Sequence, residues 1–251
     1  MIERTPILNI LTHVILAFGL IVILIPIWLA FVAATHTLQA VNSAPVEIWP
    51  GTQLWPNLRE AWALSDFGPK FLNTLIVAVG VVAGKITLAC ITAFALVFFN
   101  FRGRTVIFWM VFITLILPLV ATATGTFLYR QFFLTIPDEL VEAARMDGAG
   151  PLRFLWDVLI PLSKTNIAAL ATIMFVYAWN QYLWPLLVIT DRANYGMVVV
   201  QLSDLVPDQL TTGGGTPTWQ LAMAATLVVM LPPIAIVILM QRWFVRGLIN
   251  T

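Results

Sequence analysis

The sequence predicts an all-α, polytopic membrane protein. Of its 251 residues, 60% are hydrophobic and only 10% charged, whereas a water-soluble domain of this length carries roughly 25% charge. The mean hydropathy is +0.93, and an apolar surplus of that kind has to face lipid. Several apolar runs also reach the ~20 residues a helix needs to cross a hydrocarbon core of ~30 Å. These spans fall at about 11–34, 71–99, 106–129, 167–190 and 219–240.

The same figures exclude several function classes. A net charge of +1 offers no basic excess with which to neutralise the phosphates of a nucleic acid. Cys90 is the single cysteine and lies inside an apolar run, so it forms no intrachain disulfide and marks no thiolate site. His13 and His36 flank the first span without metal-ligand company. No Ser/His/Asp or Cys/His set is at hand, so no catalytic residue, metal or cofactor is expected.

The first span has an apolar core of about 24 residues, too long for the ~7–15-residue core of a signal peptide. It reads as retained, although Leu38 to Ala40 faintly resembles a cleavage site. The loop that follows holds Trp49, Trp55 and Trp62, a residue type that suits the membrane–water interface.

The second span contains Gly80-x-x-x-Gly84, which lets two helices approach closely in lipid. The adjoining Lys85 invites a P-loop reading, but position 79 is Val and position 86 is Ile where the motif needs Gly and Ser or Thr. The chain therefore has no nucleotide-binding loop of its own. An ammonium near the bilayer centre costs at least ~2.5 kcal/mol. Lys85 either faces a carboxylate or carbonyl, snorkels to an interface, or lines a pathway for an anionic solute.

The third span conflicts with the charge pattern. The N-terminus, the link with Arg102 and Arg104, the link from Arg130 to Lys164 and the tail with Arg242 and Arg246 are all cationic. The positive-inside rule puts every one of them in the cytoplasm. Yet 106–129, at 24 residues, is long enough to cross only once, since a return crossing needs about 40 residues. Either this segment is re-entrant or broken, or a span is missing near Leu115 to Gly125.

Between the third and fourth spans "TIPDELVEAARMDG" carries helix punctuation. Thr135 with Asp138 forms an Asp variant of the capping box, Pro137 sits in the first turn, and Gly148 suits the C′ position. The intervening helix, ~18 Å long at ~1.5 Å per residue, is too short to cross. Leu140, Val141 and Ala144 give it a narrow apolar edge. Asp138, Glu139, Glu142 and Asp147 outnumber Arg145, whereas helices lying on lipid headgroups are rich in Lys and Arg. A short acidic helix outside the membrane reads as a plug for a groove in another protein.

In the fourth span Tyr177, Asn180, Gln181 and Trp184 stand at i, i+3, i+4 and i+7, one face of a continuous helix. Such a face points into the bundle, either for interhelical hydrogen bonding or as a solute lining. Pro185 and the Pro232-Pro233 pair are expected to kink their helices.

Glu142-Ala143-Ala144, three residues, Gly148, nine residues, then Val158-Leu159-Ile160-Pro161 resembles the EAA signature of ABC-importer permeases. Val158 and Ile160 are mild aliphatic departures from its usual Ile and Leu. The flanks "RQFFLTIPDELVEAARMDGAGPLRF" and "YAWNQYLWPLLVITD" resemble the carbohydrate-uptake subfamily, and the likeness extends over nearly the whole chain.

That resemblance implies a type I importer transmembrane domain in the bacterial inner membrane. Residues 1–70 would supply the first span and a periplasmic loop. Residues 71–246 would form the permease domain, with a coupling helix at about 136–148. The implied partners are a homologous second permease subunit, two cytoplasmic ATPase subunits and a periplasmic binding protein, besides membrane lipid. The implied solute is sn-glycerol 3-phosphate, with a sugar or glycerophosphodiester as the alternative. Glu142 would pair with a basic ATPase residue, Ala143 and Ala144 would permit close approach, and Asp147 and Gly148 would complete the docking turn. Lys85, Tyr177, Asn180, Gln181 and Trp184 are the candidate translocation lining.

Family members carry six spans with a periplasmic turn between the third and fourth, and here that turn and the flanking helix ends are absent. This is a deletion, which would threaten transport, or an omission from the recorded sequence, which the intact cationic segments on both sides favour. A non-ABC secondary transporter subunit is the rival reading, but it would need carboxylates inside the spans. All twelve acids lie outside the apolar runs or at their ends. A scaffold subunit that binds the ATPase without carrying solute is the other rival.

Overall fold

The computed structural model describes residues 6–45, 47–113, 122–206 and 218–249, and among them there is helix but no strand. In chain order the helices are α1 (Pro6–Ala34), α2 (Leu38–Val41), α3 (Leu54–Ser65), α4 (Phe67–Phe98), α5 (Arg104–Ile113), α6 (Thr122–Phe133) and α7 (Asp138–Met146). Then come α8 (Pro151–Phe154), a π-helical turn (Leu155–Leu159), α9 (Ile160–Leu162) and α10 (Lys164–Trp179). The last are α11 (Leu183–Val188), α12 (Arg192–Tyr195), α13 (Val198–Leu205) and α14 (Trp219–Ile249).

Three of these helices contain stretches long and apolar enough to cross a bilayer: Ile10–Ala34, Phe67–Phe98 and Trp219–Gln241. They match the expected spans at 11–34, 71–99 and 219–240. Side chains such as Ile15, Phe18, Ile23 and Ile76 are exposed on them, as lipid-facing side chains must be.

The other two expected spans differ from their sequence reading. The stretch 106–129 is not one crossing helix. Its described parts are α5 and α6, of 10 and 12 residues, and each reaches only ~15–18 Å at ~1.5 Å per residue. The Arg130 guanidinium lies 4.3 Å above the ring of Phe108. Two residues 22 apart in one straight helix would be ~33 Å apart, so the chain doubles back between them. That geometry accords with the conflict in the charge pattern, and it fits a broken or re-entrant segment as well as two spans with residues missing between them. The connecting residues 114–121 lie outside the described set, as do Arg4 and most of the "TTGGGTPT" stretch.

The stretch 167–190 is likewise broken, because α10 stops at Trp179 and Asn180 caps it. Pro185 explains the stop: inside a continuous helix its ring would clash with the carbonyl of Gln181. It sits instead at the start of a separate helix, α11, where a missing N–H costs nothing. Upstream of α10, Pro161 lacks the N–H that would bond the Asp157 carbonyl, and the turn before it widens to a π-helix. The two helical stretches Pro151–Leu162 and Lys164–Trp179 meet at 76°. Buried Ser163 sits at that corner, and its N–H and Oγ both donate to the Leu159 carbonyl, at 2.9 and 2.6 Å.

The chain forms two compact units. The first comprises residues up to Leu72 together with Tyr182–Leu231. In it the C-terminal end of α1 is tied to α3 by buried Asn57, whose Nδ2 donates to the carbonyls of Ala34 and His36, both at 2.8 Å. This satisfies carbonyls that a helix end otherwise leaves orphaned. Trp62 stacks on Phe71 with ring centroids 5.6 Å apart, while Trp49 and Trp55 are fully exposed.

The second unit comprises Asn73–Gln181 and the residues from Pro232 onward. Its core joins Ala89, Ala93 and Phe94 of α4, Tyr129 and Phe133 of α6, Phe154, Leu155 and Leu159, and Leu170 and Met174 of α10. Gly125 marks the closest approach: a Cβ there would stand 2.9 Å from Ala89 Cβ and 3.1 Å from Leu170 Cδ2. Only glycine lets α4, α6 and α10 meet so tightly.

Candidate functional site

The short acidic helix forms as α7 and belongs to the second unit. Its N-terminus departs from the expected capping box. Pro137 is the N-cap, with φ −60° and ψ 138°, and contributes no side-chain bond. Thr135 Oγ1 donates instead to the Phe132 carbonyl at 2.7 Å, closing the preceding helix rather than opening this one. The fixed φ of Pro137 turns the chain, and Asp138 and Glu139 in the first turn favour the helix through its dipole.

The C-terminus follows the sequence reading closely. Gly148 has φ +70°, the left-handed conformation that favours glycine. The Ala149 N–H donates to the Ala144 carbonyl at 2.9 Å and the Gly148 N–H to the Arg145 carbonyl at 3.0 Å. These two bonds make a Schellman motif, so the chain leaves α7 at a fixed angle.

The helix has an inner and an outer side. Val141 and Ala144 are half-buried against the core of the second unit. Asp138, Glu139, Glu142, Ala143 and Asp147 are exposed. Ala144 therefore serves the inner contact, not the outward close approach read from the motif, while Ala143 keeps the outward position. The Arg153–Asp157 bridge, 3.2 Å long, is exposed, and Glu142 presents its carboxylate on the exposed side of α7, one turn from Arg145. Behind α7 lies a pocket of about 280 Å³, walled by Phe94, Phe98, Phe99, Val141, Ala144 and Phe154 among others.

Of the five candidate lining residues, the structure brings two together. Lys85 Nζ lies 5.0 Å from the centroid of the Tyr177 ring, within cation–π range. Asn180 and Gln181 do not continue the Tyr177 face, because the helix ends before them. Asn180 Nδ2 donates to the Val176 carbonyl at 2.8 Å and Gln181 Nε2 to the Tyr177 carbonyl at 3.4 Å. Each amide thus gives one hydrogen bond to the last turn of α10. Trp184 is exposed in the separate helix α11. Gly80 and Gly84 have nothing within 4 Å of a Cβ, so no helix among the described residues packs on that face.

Two relationships had no counterpart in the sequence reading. One is the Arg130–Phe108 stack. The other is the contact of Phe98 with Phe154, ring centroids 5.5 Å apart. The i, i+4 pair Phe94 and Phe98 was a signal for an aromatic patch on α4, but nothing local to it names the partner at 154.

Residues 7–250 match the family described as "Binding-protein-dependent transport system inner membrane component". The chain is similar to the sn-glycerol-3-phosphate transport system permease protein UgpE of Pectobacterium atrosepticum, at 44% identity over 284 aligned positions, covering all of this chain and 99% of the relative. Its likeness to the UgpE protein of Escherichia coli K12 is 45% over 284 positions with the same coverage. Since this chain has 251 residues, at least 33 of those 284 positions face a gap in it. Among solved structures it resembles a chain of a "bacterial ABC transporter involved in the import of the acidic polysaccharide alginate", with a TM-score of 0.79, 21% identity, and 97% and 99% of the two chains covered. At that identity the likeness speaks for the fold. The chain belongs to the family of binding-protein-dependent transport system inner membrane components, and is a multi-pass permease subunit of the bacterial inner membrane rather than an enzyme.

Proposed function

We propose that this subunit forms one half of the transmembrane path of an ATP-driven importer for sn-glycerol 3-phosphate, and that α7 is its coupling helix. The observation that carries the reading is α7 itself. Its apolar edge is anchored on the core of the second unit, its C-terminus is locked by Gly148, and it offers an exposed, acidic outer face. The named solute of its UgpE relatives supplies the substrate.

In this reading the partners are a homologous second permease subunit, two ATPase subunits and a periplasmic binding protein. Glu142 meets a basic side chain in an ATPase groove, and Ala143 lets that groove approach the backbone. Asp147 adds a second acid beside the Gly148 turn. Closure of the ATPase dimer then moves α7 as a rigid lever, and the helices packed behind it rock with it. Residues 71–246 act as the permease domain, and residues 1–70 add a first span and a periplasmic loop.

The test is reconstitution of the purified importer, with its ATPase subunits and binding protein, in liposomes loaded with ATP. Labelled sn-glycerol 3-phosphate should accumulate only with ATP present. Accumulation of a neutral sugar in its place would sink the solute assignment. An intact complex that moves no solute would mean that the short α5–α6 region disables transport.

A further inference from the structure

Lys85 stands nineteenth of the 32 residues of α4, about 4 Å beyond the helix midpoint at ~1.5 Å per residue. A cation at that depth has to find compensation or be expelled. None of the crossing stretches Ile10–Ala34, Phe67–Phe98 and Trp219–Gln241 contains an Asp or Glu, nor does α10, and Asp157 in the stretch that meets α10 at 76° is exposed and bridged to Arg153. The contact found for its ammonium is the Tyr177 ring, at 5.0 Å. A ring face orients an ammonium through its quadrupole, but it carries no net charge, so the positive charge is held in place without being neutralised. Lysine has three N–H donors, and one ring face leaves donors for an anion. Lys85 is half-exposed, and of the residues three and four away on its side of α4, Val81 and Val82 are half-buried, Ala89 is buried and Leu88 is exposed, so an approaching group reaches the ammonium on the Leu88 side.

We infer that Lys85, oriented by Tyr177, is the residue that receives the phosphoryl group of the solute within the membrane and selects for anionic solutes. The inference rests on the proposed sn-glycerol 3-phosphate import. It adds a specificity determinant to the permease, downstream of the binding protein.

The experiment compares wild type, Lys85→Met and Lys85→Arg in the complete reconstituted importer. It measures the amount of assembled complex, ATP hydrolysis and uptake of labelled sn-glycerol 3-phosphate. Wild type that fails to take up this solute defeats the import reading itself, whatever the variants do. Given wild-type uptake, solute moved per ATP hydrolysed should fall roughly tenfold or more in Lys85→Met, the scale of a charge-assisted hydrogen bond. Lys85→Arg, which keeps the charge, should recover most of the ratio. An unchanged ratio in Lys85→Met overturns the inference. So does a loss that follows the amount of assembled complex alone, because that outcome makes Lys85 a structural partner of another subunit.

Discussion

The ring of Phe98, the last residue of α4, meets the ring of Phe154 edge to face, with centroids 5.5 Å apart and planes inclined by 77°. Phe154 ends α8, the short helix that follows α7, and Phe98 ends the helix that carries Lys85. Val141 and Ala144 of α7 lean on the same cluster. In the proposed mechanism a displacement of α7 would be passed to α4 through these rings in contact. Truncating Phe154 to Ala removes packing worth about 3–5 kcal/mol at a buried site. Phe154→Ala should leave ATP hydrolysis measurable while solute moved per ATP falls several-fold. An unchanged ratio at equal complex would show that force reaches α4 by another route.

Gly148 provides the second prediction. Its φ of +70° costs an L side chain ~1–2 kcal/mol, which multiplies local opening by roughly 5–30-fold. In Gly148→Ala, limited proteolysis between α7 and α8 should accelerate by that order, whereas Gly148→Asn, which tolerates the conformation better, should change less. Equal cleavage of all three proteins would mean that the turn is not under this constraint.

A third prediction concerns pH. Asp191 caps α12, accepting from the Asn194 side-chain amide at 2.8 Å and the Asn194 N–H at 3.2 Å. These bonds, the side-chain one foremost, hold its carboxyl below the ordinary value of 3.8. Because the folded value is depressed, the cap's contribution is fully present above the ordinary value and is lost as pH falls through the depressed one. It does not vary near neutrality. An NMR titration of the Asp191 carboxyl carbon should therefore give a midpoint below that of a model aspartate, and Asn194→Ala should raise it. A midpoint at or above the ordinary value would contradict the cap.

Much of this architecture was legible in the sequence because lipid simplifies the reading. Long apolar runs have few fates, and α1, α4 and α14 fall where hydropathy places them. The positive-inside rule also exposed the conflict at 106–129, and the doubling back of α5 and α6 and the gapped alignment with relatives bear on the same region. The break after Trp179 was missed although Pro185 was in view. A lone proline inside a membrane helix is often tolerated as a kink, and periodicity at Tyr177, Asn180, Gln181 and Trp184 persists in the letters even where the helix ends. Thr135 misled for a related reason: a hydroxyl three residues before an acid fits a capping box, but the Phe132 carbonyl was a nearer partner. The inward side of Ala144 and the Phe98–Phe154 contact depend on tertiary packing, which no local pattern encodes.

The most direct measurement is on Glu142. Its carboxylate is exposed on the outer side of α7, so replacing it should leave the fold of the subunit intact. In proteoliposomes containing the complete importer and its binding protein, Glu142→Lys should lower ATP-dependent uptake and binding-protein-stimulated ATP hydrolysis together. A fall of about tenfold or more corresponds to ~1.4 kcal/mol or more of lost coupling, with the subunit still inserted in the membrane. ATP-dependent uptake at the wild-type rate in Glu142→Lys would remove this residue from the coupling mechanism.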